Sequence, residues 1–226
     1  IFKNRLPIHL VWKERIHLLT KELKQTPSIF KNETYFGFGV WLFSFLDQHF
    51  HHFFQFERKA ESALAPCFLE FQFQNSLIFT DALTGGLGAW KKNPGNWSPL
   101  PWKFPWQVPS LELQEELYPI RIENHELRTN IPSNGLYEGG PGFLRTYRIL
   151  EPCELQWELS YFDIRPKGCD GGQDGSLSEL WIQALDSSSR YKVTSRSGKI
   201  QVPAQSLIIL GTARGGAYGQ FPTKSR

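Results

Sequence analysis

The chain has 226 residues, 40% of them hydrophobic, and its Lys+Arg 25 against Asp+Glu 22 leave a net charge of +3. That composition can bury a core and excludes a disordered chain, while the scattered, nearly balanced charge is a weak footprint for nucleic acid, which is not expected as a partner. Cys67, Cys153 and Cys169 are odd in number and widely spaced, so they outline neither a disulfide framework nor a Cys-x-x-Cys pair, and a reducing compartment fits them.

No basic, apolar and small-residue succession marks a leader at the start. The longest apolar run, Tyr35 to Leu46, is too short to cross a bilayer as a helix. The expectation is therefore cytoplasmic, with no membrane. The chain opens on Ile1 and lacks Met, which points to a fragment. From His9 to Lys24, Leu10, Val11, Ile16, Leu19 and Leu23 recur at helical spacing, which predicts a surface helix ended by Thr26-Pro27-Ser28. Most Phe residues fall between Phe30 and Phe79. His49 and His52 would share a helix face there as metal ligands, yet no carboxylate or cysteine stands at a familiar spacing. An aromatic surface is the simpler reading, and no metal site is assigned. Residues 1–74 read as a divergent helical and aromatic-rich segment.

Phe71 to Thr80 is strand-like and leads into the bend Thr84-Gly85-Gly86-Leu87-Gly88-Ala89. Such a bend can offer several N–H groups to an anion, but it lacks the Lys-Ser/Thr ending of a P-loop and is not read as a nucleotide site. Asn93 to Pro109 interleaves Trp97, Trp102 and Trp106 with prolines and reads as an extended loop that packs on the core or faces a partner. The organising stretch is Leu117 to Leu150. Tyr118 to Leu127 and Phe143 to Leu150 read as strands, and between them Pro132 to Gly142 is too rich in glycine and proline for helix. Beyond it the pattern is all β: Cys153 to Ile164, Leu180 to Leu185, Tyr191 to Thr194 and Gln205 to Thr212. Ser187 to Ser189 and Ser195 to Lys199 read as surface turns, and Gln220 to Arg226 as a frayed tail. The expected fold is mainly β with a minor helical N-terminal part (α+β), and residues 75–219 form a sandwich or barrel-like region.

Four glycine bends in this order carry a resemblance. Asp81 to Ala89 resembles a Gly-Gly-x-Gly-Ala loop. Tyr118 to Glu123, followed by Gly135, Gly139-Gly140-Pro141-Gly142, Arg145 and Tyr147-Arg148, resembles a Pro-Leu-Arg-Val-Glu strand with its glycine turn. Lys167 to Gly172 and Thr212 to Gly219 resemble two later glycine-rich turns. Over about Phe79 to Gly219 the chain is thus similar to the hydantoinase B and 5-oxoprolinase family. Two departures stand out: nothing in Ile1 to Gln74 reproduces the family's Asn-Asp-Pro and Gly-Gly-x-His segments, and Val108 to Glu112 keeps only the Pro and an acidic residue of Asn-Thr-Pro-x-Glu.

No Ser-His-Asp order, His-Glu-x-x-His, EF-hand or kinase motif is present, so no catalytic residue is identified and the catalytic reading rests on the resemblance. The resemblance implies ATP-dependent hydrolysis of a cyclic amide, 5-oxoproline or a hydantoin, together with a hydantoinase A type partner that handles the ATP. A metal ion belongs to such systems but is not placed on this chain, which is expected to be inactive alone. Gly85, Gly86, Gly88, Gly139, Gly140, Gly142 and Arg145 are the candidate substrate- or partner-binding residues. Arg121 and Arg214 are further possible anion contacts, but a strand arginine such as Arg145 is more simply paired with Glu138 or Glu151. His125 as a base, or Asp170 and Asp174 as cation ligands, have simpler readings as a surface histidine and as turn-forming aspartates. The rival reading is a truncated or divergent non-catalytic β scaffold or interaction module.

Overall fold

In a computed structural model, residues 58–97, 109–185 and 190–220 are described. The expected helix at His9 to Lys24, the His49 and His52 pair, Trp102 and Trp106, and the serine turn at Ser187 to Ser189 lie outside them.

Among the described residues nine strands form two antiparallel sheets. The first has the order β2-β1-β5-β8, from β1 (Cys67–Phe73), β2 (Ile78–Leu83), β5 (Cys153–Glu158) and β8 (Ser197–Val202). The second has the order β3-β4-β9-β6-β7, from β3 (Ile120–Arg128), β4 (Gly142–Ile149), β6 (Glu179–Gln183), β7 (Tyr191–Lys192) and β9 (Leu207–Gly211). The period-two alternation explains the layering. Leu69 and Phe71 of β1, Leu155 and Trp157 of β5, Tyr147 and Ile149 of β4, and Ile208 and Leu210 of β9 all point into one shared core. Phe71 meets Tyr147 across the two layers at 5.3 Å between ring centroids. Burying each such aromatic or aliphatic side chain contributes about 1.5–3 kcal/mol.

The structure corrects several sequence boundaries. Phe71 to Thr80 is not one strand but the hairpin of β1 and β2, closed by a turn in which Ser76 takes φ 62. Ser197 to Lys199 is not a surface turn but the start of β8, which pairs with β5 so that Gly198 lies opposite Trp157. A short helix, α1 (Leu111–Leu117), stands before β3, capped by the Ser110 hydroxyl that accepts from the Leu113 N–H at 3.3 Å. Its Glu115 carboxylate accepts from the Ile122 N–H at 2.7 Å, which ties the helix to the free edge of β3.

At one end of the molecule the sheets run out together. There β2, β5, β3 and β9 finish and β1, β4 and β6 begin, since Cys67 is opposite Leu83, Phe68 opposite Glu158, Gly142 opposite Arg128 and Glu179 opposite Gly211. All four glycine bends lie at this end.

Candidate functional site

The glycine bends do not hang as loops: they lock together backbone to backbone. Along the first, five consecutive N–H groups have protein acceptors: Gly85 to Ala63 O at 2.7 Å, Gly86 to Ala213 O at 3.0 Å, Leu87 to Asn96 O at 2.8 Å, Gly88 to the Ser62 hydroxyl at 2.8 Å and Ala89 to Gly216 O at 2.9 Å. Along the last, Gly215, Gly216, Ala217, Tyr218 and Gly219 donate in turn to Gly140, Glu61, Gln173, Tyr137 and Cys169. Successive donors reach three or more different segments. A flat strand instead alternates between two neighbours in one plane. Gly140 donates to Leu87 O at 2.8 Å, and Gly139 to the Ser133 hydroxyl at 2.8 Å.

Glycine is required because the segments touch. A Cβ at Gly86 would stand 1.9 Å from Gly140 O, one at Gly88 2.0 Å from Ala60 O, one at Gly139 2.0 Å from Gly215 O and one at Gly140 2.1 Å from Asn96 O. These obstacles are backbone carbonyls, which cannot swing aside. The candidate glycines are therefore brought together, with Gly85 against Ala213 and Gly142 against Thr212. Their N–H groups serve the chain itself.

Arg145 lies at the other face of this region, between the layers. It is 2% exposed, and its guanidinium donates to the Asp81 carboxylate of β2, to which the Tyr147 hydroxyl also donates at 2.6 Å. The charge partner is thus Asp81 on the opposite sheet, not Glu138 or Glu151. Register explains it: Arg145 and Tyr147 share the inward face of β4, and Asp81 shares the inward face of β2 with Phe79. Burial opposes the Arg145 charge, but the Asp81 carboxylate outweighs it and holds the guanidinium above its ordinary value. Burial and the same carboxylate push the Tyr147 phenol well up.

His125, opposite Arg145 on β3, stacks on Phe143 with an interplanar angle of 5°. Its Nδ1 accepts from Arg145 Nε at 3.1 Å. Its Nε2 lies 3.3 Å from a terminal nitrogen of the same guanidinium, so both ring nitrogens face a group that can only donate. Burial first, then Arg145, lowers the histidine pKa. His125 is therefore an exposed histidine satisfied by an arginine and stacked on an aromatic ring, as the simpler reading expects.

Asp170 and Asp174 are spoken for as well. Asp170 accepts from Arg58 at 2.5 Å, and Asp174 from Lys167 Nζ at 2.7 Å and from the Gly168 N–H at 2.9 Å. A hydrogen bond to Asp170, then burial, pushes Tyr218 up to about 12. Among the described residues no three His, Cys, Asp or Glu side chains gather as a metal site, so this donor set does not fit a metal ion. Burial raises the thiols of Cys67, Cys153 and Cys169 to about 11, about 12 and about 11, which keeps them protonated and unreactive near neutral pH. No described helix is long and apolar enough to cross a membrane.

Sequence reasoning did not single out Glu138 with Arg214. The Arg214 Nε donates to Gly139 O at 2.9 Å, one terminal nitrogen to Ile131 O, and the other to the Glu138 carboxylate at 3.0 Å. The signal was an arginine at the head of a glycine run, where a long side chain has only the facing loop to meet.

Two antiparallel β layers joined at one end by an interlocked glycine frame define an all-antiparallel, two-sheet class of fold whose one end is set by backbone contact. The model of the Hydantoinase B/oxoprolinase family matches residues 43–221, and the chain belongs to that family. It is 30% identical over 105 residues to a putative D-/L-hydantoinase B-type subunit of Pseudomonas sp. (strain NS671), covering 46% of this chain and 18% of that protein. It is 30% identical over 113 residues to the 5-oxoprolinase of Saccharomyces cerevisiae, covering 49% of this chain and 8% of that one. Among solved structures, the ATP-dependent caprolactamase from Pseudomonas jessenii superposes with a TM-score of 0.55 at 16% identity, over 72% of this chain and 30% of that chain. A nucleotide-free acetone carboxylase superposes with a TM-score of 0.56 at 13% identity, over 71% and 26%. These two likenesses concern the fold. The chain spans less than a fifth of the length of the two relatives named.

Proposed function

We propose that this chain supplies a β and glycine-frame portion of a hydantoinase B-type unit in the ATP-dependent hydrolysis of a cyclic amide, 5-oxoproline or a hydantoin, with a hydantoinase A type partner. The observation that carries the reading is the family match over 43–221, which spans all four interlocked bends. Opening such a ring requires the amide oxygen to be activated by phosphoryl transfer before water attacks. The N–H groups of Gly85 to Ala89 and Gly215 to Gly219 are taken up within the chain, and in this proposal the partner handles the ATP.

In this proposal Gly85, Gly86, Gly88, Gly139, Gly140, Gly142 and Arg145 act on substrate or partner binding indirectly. They hold the loops at one end of both sheets in a fixed shape, against which a companion surface can be complementary. A second reading is a non-catalytic scaffold, favoured by the consumption of the glycine N–H groups and the Arg145 charge within the chain.

Mixing the 226-residue chain with a hydantoinase A type chain separates the two. The first reading expects a stable complex that releases phosphate only when 5-oxoproline or a hydantoin is present. A complex without lactam-dependent ATP hydrolysis supports the scaffold, and failure to associate contradicts the partner proposal.

A further inference from the structure

Asn134 is the one asparagine in the sequence that a glycine follows, and it lies on the connection from β3 to β4 that enters the glycine frame. An asparagine carboxamide is open to attack by the backbone nitrogen of the next residue, which closes a succinimide, and a glycine there carries no Cβ to crowd the approach. The fold leaves both reacting groups unengaged. Asn134 is exposed, and among the described residues neither its carboxamide nor the Gly135 N–H makes a hydrogen bond.

Comparable positions nearby are held. Asp170 and Asp174 also precede glycines, but their carboxylates accept from Arg58 and from Lys167, and the Gly175 N–H donates to Pro166 O at 2.7 Å. The Asn75 side-chain oxygen accepts from the Leu77 N–H at 3.2 Å, and that of Asn96 from the Trp97 N–H at 2.8 Å. Asn93 precedes a proline, whose nitrogen has no proton to give up. What restrains Asn134 is Gln173. The Asn134 N–H donates to Gln173 Oε1 at 3.1 Å and the Gln173 N–H donates to Asn134 O at 2.8 Å, while Gln173 O accepts from the Ala217 N–H of the last bend at 2.9 Å. Ring closure turns the main chain at Asn134, so it waits on a local opening of this clamp.

We propose that Asn134 is a self-modification site whose conversion loosens one side of the glycine frame. The Gly135 nitrogen gives its proton to solvent base and bonds to Asn134 Cγ, the carboxamide C–N bond breaks, and ammonia leaves. Water then opens the succinimide at either carbonyl. Breaking the bond from Gly135 N to Cγ gives aspartate; breaking the bond from Gly135 N to the main-chain carbonyl gives isoaspartate, in which the chain runs through the side-chain carbon. That extra carbon falls between the Gln173 clamp and the Leu136 N–H, which donates to Gly219 O at 2.9 Å. There is no slack to absorb it, since even a Cβ at Gly135 would stand 2.8 Å from Ala217 Cβ. One of the two contacts is therefore given up. This inference does not rest on the amide-opening reading.

The test keeps the full chain folded in mildly alkaline buffer and follows it by peptide mass mapping and by isoaspartyl methyltransferase labelling. Conversion is expected to start at Asn134, ahead of Asn75 and every other asparagine, with isoaspartate among the products. Gln173→Ala is expected to speed it about fivefold, the factor that one lost hydrogen bond is worth. In the converted fraction the Leu136 and Tyr137 amides are expected to exchange faster while Tyr147 of β4 stays protected. An intact Asn134 when another asparagine has turned over, an unchanged rate in Gln173→Ala, or unchanged exchange at Leu136 and Tyr137 would each overturn the proposal. If Gln173→Ala does not fold, the unaltered chain with and without urea carries the comparison: faster conversion in urea supports the clamp, and equal rates contradict it.

Discussion

At the scale of single residues the glycines are immovable and the buried charges interdependent. Gly86→Ala places a methyl 1.9 Å from Gly140 O and against the Pro141 backbone, so a cost at or above the 1–3 kcal/mol usual for overpacking is expected, read as a lower midpoint in urea unfolding. Asp81→Asn leaves the Arg145 guanidinium buried without its counter-charge, which predicts a loss of about 3–5 kcal/mol in the same measurement. His125 gives a pH dependence of definite sign. Its pKa is lowered in the folded chain, so the unfolded chain takes up the proton first as pH falls below about 6.5. The stability it confers is whole above that pH and is lost as pH falls towards the folded value. Melting temperature should therefore drop between pH 8 and pH 5 more steeply in the unaltered chain than in His125→Gln, and parallel profiles would exclude the mechanism.

At the scale of elements, the strands that alternate cleanly were legible from sequence. Tyr118 to Leu127 and Phe143 to Leu150 became β3 and β4 within a residue or two, because one face of each is buried and the pattern records it. What escaped notice has physical reasons. β8 alternates between small, charged and apolar residues, and its Gly198 reads as a turn. Its glycine is in fact where the Trp157 ring lies over the backbone, and a Cβ would come within 2.6 Å of that ring. Gly198→Val is accordingly expected to cost about 1–3 kcal/mol, measured by urea unfolding. A neutral outcome would show that β8 is only loosely held on β5. α1 was missed although Ser110, Glu112 and the preceding Pro109 are start signals, because seven residues offer barely two turns of periodicity. The pairing of Arg145 with Asp81 crosses between sheets, and no local pattern encodes which carboxylate a buried arginine will meet.

At the scale of the whole molecule, the glycine bends were visible in the sequence as motifs, but their use was not. A run such as Thr212 to Gly219 looks the same whether its N–H groups face a phosphate or another backbone. The folded chain puts them to the second use, joining both sheets at one end with segments from Ala60 to Gly219. In the function proposed above, this joined end of the chain is a frame that fixes the shape of a surface. Amide hydrogen exchange, followed residue by residue, tests this most directly. Gly85 to Ala89 and Gly215 to Gly219 should exchange as slowly as Tyr147 and Ile149 of β4, through global unfolding alone. Exchange of those glycine amides at the rate of an open loop, while β4 stays protected, would contradict it.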